Sequence, residues 1–250
     1  MRSAFALFCI LVAMPLYAED VKVAAASDLN FAIKEIIQQF ERETGHRVRL
    51  TLGSSGSFYA QIMNGAPFDV FLSADMNYAK ESEKAGRAVP GSTFIYGIGG
   101  IALWTPKKSA IRLDAFGMKA LLEPAVKKIA IANPEHAPYG RAAVAAMQKA
   151  GLYDRVKSKL VLGENISQAA QFVQSGAADI GIIALSIAVS EPMRQAGSYW
   201  TIPRESYPRL EQGAVLLKRG GPGAKAFYEW LRAPEAKKIL EKYGFGEQAR

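Results

Sequence analysis

Between residues 21 and 86 the spacing of apolar residues changes from strand-like runs to helical spacing and back, three times over. "VKVAAA" is a short apolar run. In the following "SDLNFAIKEIIQQFERETG", Leu29, Ala32, Ile33, Ile36, Ile37 and Phe40 recur at helical spacing before Gly45 supplies a stop. "HRVRLTL" alternates as a strand, "SFYAQIMNG" is a short helix, "FDVFLSA" a buried strand and "MNYAKESEKAG" another helix. Strands joined through helices lie parallel, so this βαβαβα order predicts a parallel sheet flanked by helices.

The character changes at "YGIGGIALWTP", an apolar, glycine-rich strand that carries the chain out of the first unit. A second α/β unit follows: "KKIAIANP" as strand, "YGRAAVAAMQKAGLYDRVKSKL" and "ISQAAQFVQSG" as helices, "ADIGIIALS" as strand. "SYWTIPRESYPRLEQGAVLLKRG" then gives two extended segments separated by prolines, with 207–217 as a return crossing, and the terminal helices break near Pro234. The expected fold is two-lobed α/β, each lobe a mostly parallel sheet with flanking helices, the two joined by two crossing strands. Residues 19–97 with 206–250 would form one lobe and 98–205 the other, with a cleft between.

Half of the 250 residues are hydrophobic, enough for two cores. The formal charge of +8 is spread over lysine-bearing helices such as "EAKKILEKYG", the pattern of solvated faces and not of a nucleic-acid footprint. The first 18 residues, "MRSAFALFCILVAMPLYA", place an arginine before an apolar run too short to span a bilayer. They read as a secretory signal peptide cleaved near Ala18. Cys9, the one cysteine, lies inside it. The mature chain would then lack cysteine, which excludes thiol catalysis and cysteine metal sites and fits a bacterial periplasm. A monomer is expected.

Enzyme motifs are largely missing. "GSSGS" is not a nucleophile elbow, since Ser57 stands where its last glycine should be, and no phosphate loop occurs. His46 and His136 are the only histidines. A serine hydrolase using Ser55 with His136 would need an orienting carboxylate, and Glu135 is too close in sequence to serve. What recurs is a strand that ends in small or polar residues and passes at once into a helix: "AAA" into "SDLN", "TLG" into "SSGSF", "IANPEHAP" into "YGRAAV" and "VLGE" into "NISQAAQ". Each helix start offers unpaired amides and the positive end of a macrodipole. Ser27 and Ser55 would add hydroxyls, and Gly56 and Gly140 would let backbone approach a ligand. Any single serine reads equally as an ordinary N-cap; four such junctions, two from each unit, point to an anion.

The segments "AAASDLNFAI", "GSSGSFYAQIMNGAPFDVFLSAD", "NPEHAPYGRAA" and "GENISQAAQFVQSGAADIGII" together resemble the periplasmic molybdate-binding proteins of ABC transporters, of the type II periplasmic solute-binding family. The resemblance runs from about residue 21 to the terminal "KKILEKYGF". It implies capture of molybdate, and of tungstate, by hydrogen-bond donors to the oxyanion oxygens at Ser27, Ser55, Tyr139 and Ile166. Gly56 and Ala184 are possible additions; Ala184 stands where some relatives carry a tyrosine, for which the Tyr139 phenol could substitute. Asp28 departs from a donor-only site. It fits a helix first turn, yet inside the cleft it would repel a dianion and accept a proton from hydrogen phosphate or arsenate. The resemblance further implies a membrane permease as partner, no cofactor and no reaction performed. Another oxyanion (sulfate, phosphate-like) remains an alternative ligand, as does a small carboxylate, for which Arg141 is the nearest cation.

Overall fold

The computed structural model describes residues 19–246. The signal-peptide reading and Cys9 fall outside them. Among the described residues ten strands, most of them separated by helices, occur: β1 Asp20–Ala26, β2 Arg47–Gly53, β3 Val70–Ser73, β4 Phe94–Gly99, β5 Ile101–Pro106, β6 Ile129–Ala132, β7 Leu160–Gly163, β8 Ile180–Ala184, β9 Gly197–Thr201 and β10 Leu210–Leu216. They form two five-stranded sheets, in the orders β2-β1-β3-β10-β4 and β7-β6-β8-β5-β9.

The two sheets repeat one plan. In the first, β1 pairs in parallel with β2 and β3. In the second, β6 pairs in parallel with β7 and β8. Each parallel core is then extended by antiparallel strands: β10 against β3 and β4, and β5 against β8 and β9. The expected fold of two mostly parallel sheets joined by two crossings is therefore observed.

One crossing is abrupt. "YGIGGIALWTP" is not one strand but two, β4 and β5, which belong to different sheets and are separated by Gly100 alone. The other runs between β9 and β10. The two are tied side by side: the Ile202 amide donates to the Ile101 carbonyl, and the Ile101 amide donates to the Tyr207 hydroxyl at 3.2 Å.

Helical periodicity placed the first core correctly. The Asn30–Thr44 helix buries Ala32, Ile33, Ile36, Ile37 and Phe40, with the Phe227 ring edge-on to Phe40 at 5.0 Å. Such burial contributes roughly 1.5 to 3 kcal/mol per large side chain. The long helix expected over "YGRAAVAAMQKAGLYDRVKSKL" is instead two, Pro138–Lys149 and Tyr153–Val156. Gly151 intervenes at φ +67°, a left-handed conformation that ends the first helix. Among the described residues no helix is long and apolar enough to cross a membrane.

Candidate functional site

The parallel strands of each sheet end toward the other sheet, and the helices that follow them start there, the usual crevice for ligands in α/β folds. Three helix N-termini meet at one point: Ser55–Met63 after β2, Pro138–Lys149 after β6, and Ile166–Gln174 after β7. The short turn Ser27–Leu29 after β1 completes the ring. Around a small cavity of about 10 Å³ lie Ser27, Asp28, Ser54, Ser55, Tyr139 and Ile166, with small backbone-lined contributions from Gly53, Ala74 and Ala137. No lysine or arginine is in the lining.

The donors can be counted. The amides of Ser55 and Ile166 open their helices, and that of Tyr139 follows Pro138 at the first position of its own. None has a carbonyl one turn earlier in its helix to bond to. Ser55 Oγ accepts the buried Ala74 amide at 2.8 Å, which leaves its proton to point elsewhere. Ser27 is differently engaged: its hydroxyl donates to Asn165 Oδ1 at 3.0 Å and accepts the Ser167 amide at 3.3 Å. Three helices with their positive ends at one cavity make a field that favours an anion without any fixed cation.

Of the residues named from sequence, Ser27, Asp28, Ser55, Tyr139 and Ile166 are brought together at the cavity. Gly56 and Ala184 do not line it. The Gly56 amide is spent on the His136 carbonyl at 3.0 Å, and Ala184 is fully buried at the end of β8, paired with Ile101. Gly140 serves packing, since a Cβ there would collide with the Ala132 carbonyl. The Tyr139 phenol is not available to an anion as expected: it donates to Asp28 Oδ2 at 2.8 Å. His136 contacts Ser54 at 2.8 Å, not Ser55, and Ser54 Oγ also caps its helix by accepting the Ser57 amide. The hydrolase pairing of Ser55 with His136 is therefore not formed.

Asp28 is the unusual member. It is 1% exposed, and burial lifts its carboxyl from 3.8 to about 7, against the opposing effects of the Tyr139 hydroxyl and the nearby Asp28 and Leu29 amides. A chain of donors ends on it: Tyr96 to Gln212 Oε1 at 2.9 Å, Gln212 Nε2 to the Tyr139 oxygen at 3.2 Å, Tyr139 to Asp28. Burial, first, and the Asp28 charge push the Tyr139 and Tyr96 phenols well above their ordinary range. The sequence did not reveal Asn165, Ser167, Gln212 or Tyr96 as parts of this region. Asn165 alone left a local signal, as the N-cap that accepts the Gln168 amide.

Several bonds cross between the two sheets' layers. They include Ser167 Oγ to the Ser27 carbonyl, Ser186 Oγ to the Asp28 carbonyl, and an Arg141–Asp75 ion pair at 2.7 Å. Arg141 is thus paired beside the cavity and does not enter it.

Residues 21–246 match the family described as bacterial extracellular solute-binding protein. The chain is 42% identical to the molybdate-binding protein ModA of Azotobacter vinelandii over 249 residues, covering 99% of this chain and 98% of that protein. It is also 42% identical to ModA of Rhodobacter capsulatus, over 94% of this chain and 91% of that one. The solved structure of the Azotobacter vinelandii periplasmic molybdate-binding protein superposes with a TM-score of 0.85 at 35% identity, covering 92% of this chain and all of the other. The sulfate-binding protein SubI of Mycobacterium tuberculosis shares the fold, with a TM-score of 0.75 at 14% identity over 91% of this chain and 86% of that one.

Proposed function

The chain belongs to the bacterial extracellular solute-binding protein family, and from that premise we propose that it captures molybdate, with tungstate as a second ligand, and delivers it to the membrane permease of an ABC importer. It acts in the periplasm as a monomer, binds no nucleic acid and performs no reaction. The lobes are residues 19–97 with 206–250 and residues 98–205, and they close over one oxyanion. One observation carries the reading: three helix N-termini drawn from both sheets, together with the Ser55 hydroxyl, converge on a cavity that holds no cationic side chain.

In this reading Ser27, Ser55, Tyr139 and Ile166 donate to the oxyanion oxygens. Tyr139 and Ile166 act through backbone amides, Ser55 through amide and hydroxyl, and Ser27 through a hydroxyl that turns from Asn165. Fixed dipoles replace the hydration shell of the dianion and need no counter-charge. Size selects the ligand. A ring of donors spaced for molybdate or tungstate leaves the smaller sulfate short of some bonds, and each unmade bond costs on the order of 1 to 3 kcal/mol.

Thermal shift with molybdate, tungstate, sulfate, phosphate and acetate tests the assignment. Molybdate and tungstate are expected to stabilise at micromolar levels; stabilisation by acetate or phosphate alone would replace the ligand class. Ser55→Ala removes one donor and strands the buried Ala74 amide. Molybdate affinity should then fall roughly 5- to 150-fold, the equivalent of about 1 to 3 kcal/mol, when measured by calorimetric titration.

A further inference from the structure

Asp28 is the one acidic group in a lining otherwise made of neutral donors. Its two oxygens differ. Oδ2 accepts the Tyr139 phenol, whereas Oδ1 is buried and has no hydrogen-bond partner. A buried oxygen left in this way costs free energy unless something completes it. The donor chain from Tyr96 through Gln212 and Tyr139 runs one way and stops at Oδ2, so it leaves Oδ1 as the place for a proton.

Resting on the oxyanion reading above, we propose that Asp28 takes part in binding as a neutral acid, its Oδ1–H donating to the bound dianion, so that wherever Asp28 is ionised beforehand molybdate capture brings a proton from solvent into the protein. An ionised Asp28 would set a third negative charge against the dianion, and no cation faces it to compensate. The Ile166–Gln174 and Leu185–Ala188 helices packed on the Ser27–Leu29 turn carry no ionisable side chain. On the Asn30–Thr44 helix, Lys34 is exposed and Glu35 is held by Lys242 and Tyr243. Tyr96, Tyr139 and Tyr207 are neutral phenols, all raised first by burial. Arg204 donates to the Gly99 carbonyl, Arg141 pairs with Asp75, and His136 bonds Ser54.

Burial pushes the carboxyl up to about 7, and a dianion beside Oδ1 would raise it further. Binding and protonation are then linked: affinity is flat at low pH and declines by up to about tenfold per pH unit above about 7. Molybdate itself carries no proton in this range, so the proton cannot arrive with it.

The test is calorimetric titration of sodium molybdate into the full mature chain at about pH 6 and about pH 8, in two buffers of different ionisation enthalpy. The wild type should take up little at the lower pH and approach about one proton per anion at the higher, by linkage. Asp28→Asn, which offers an N–H in place of the acid, should bind without proton uptake at either pH and more tightly than wild type at the higher. Molybdate binding without proton uptake by the wild type at the higher pH would overturn the proposal, as would uptake that survives in Asp28→Asn, which would move the proton to another group. Hydrogen phosphate outcompeting molybdate would overturn it too, by making Oδ1 an acceptor. No heat from molybdate in either protein at any pH would overturn the oxyanion reading itself.

Discussion

Gly56→Ala should lower molybdate affinity by about 100-fold or more and leave the unliganded protein up to about 2 kcal/mol less stable than wild type. A Cβ at this position would sit 2.6 Å from the His136 carbonyl and 3.1 Å from its Cα. These are backbone atoms of the opposite layer and cannot turn aside as the Tyr78 hydroxyl, at 3.0 Å, could. The two layers must then part by a fraction of an ångström, which weakens the Gly56 to His136 hydrogen bond and draws the Ser55 donors back from the anion. Overpacking of this kind costs roughly 1 to 3 kcal/mol, and misaligned donors add to it. Within its own helix alanine is the better residue by up to about 1 kcal/mol. Urea unfolding and calorimetric titration on the same preparation separate the two effects. Wild-type affinity in the variant would contradict the packing described across this contact.

Asp28→Asn should stabilise the unliganded protein at alkaline pH and progressively less as pH falls. The folded carboxyl titrates near 7 and the unfolded one near 3.8. Between those values the folded chain holds a proton that the unfolded chain has released, so wild-type stability declines as pH rises and levels off above about 7. For a fully buried group the total is at most about 4 kcal/mol, at about 1.4 kcal/mol per unit. The asparagine has no such titration. Its advantage over wild type should therefore widen by on the order of 3 kcal/mol between about pH 5 and about pH 8. Parallel stability profiles for the two proteins would show that Asp28 is not desolvated as its surroundings indicate.

Much of this architecture is legible in the sequence, because its parallel sheets are built from local βα units. The Asn30–Thr44 helix declares itself through five inward residues at helical spacing, and β1 through Val21 and Val23–Ala26, interrupted only by the exposed Lys22. What the periodicity could not show is which sheet a strand joins. β4 and β5 read as one strand because both are apolar and only Gly100 separates them, yet their partners lie more than a hundred residues away in the case of β10.

The site divides in the same way. Ser27, Ser55, Tyr139 and Ile166 could be named because each stands at a strand-to-helix junction, a local feature. The direction of the Tyr139 hydroxyl depends on Asp28, 111 positions distant, and on Gln212, 73 positions distant. Neither partner leaves a trace near residue 139. Asp28 shows the same limit. At a helix start an aspartate ordinarily faces water and complements the dipole, and only the layers packed over it make it a buried acid.

The most direct measurement is titration of the protein with molybdate while sulfate competes. One molybdate should bind per chain with micromolar or tighter affinity, and sulfate in large excess should displace it only weakly, since the smaller anion cannot reach every donor in a fixed ring. Equal competition by sulfate would contradict selection by size. Absence of molybdate binding, with sulfate or a carboxylate bound in its place, would contradict the assignment of this cavity to molybdate.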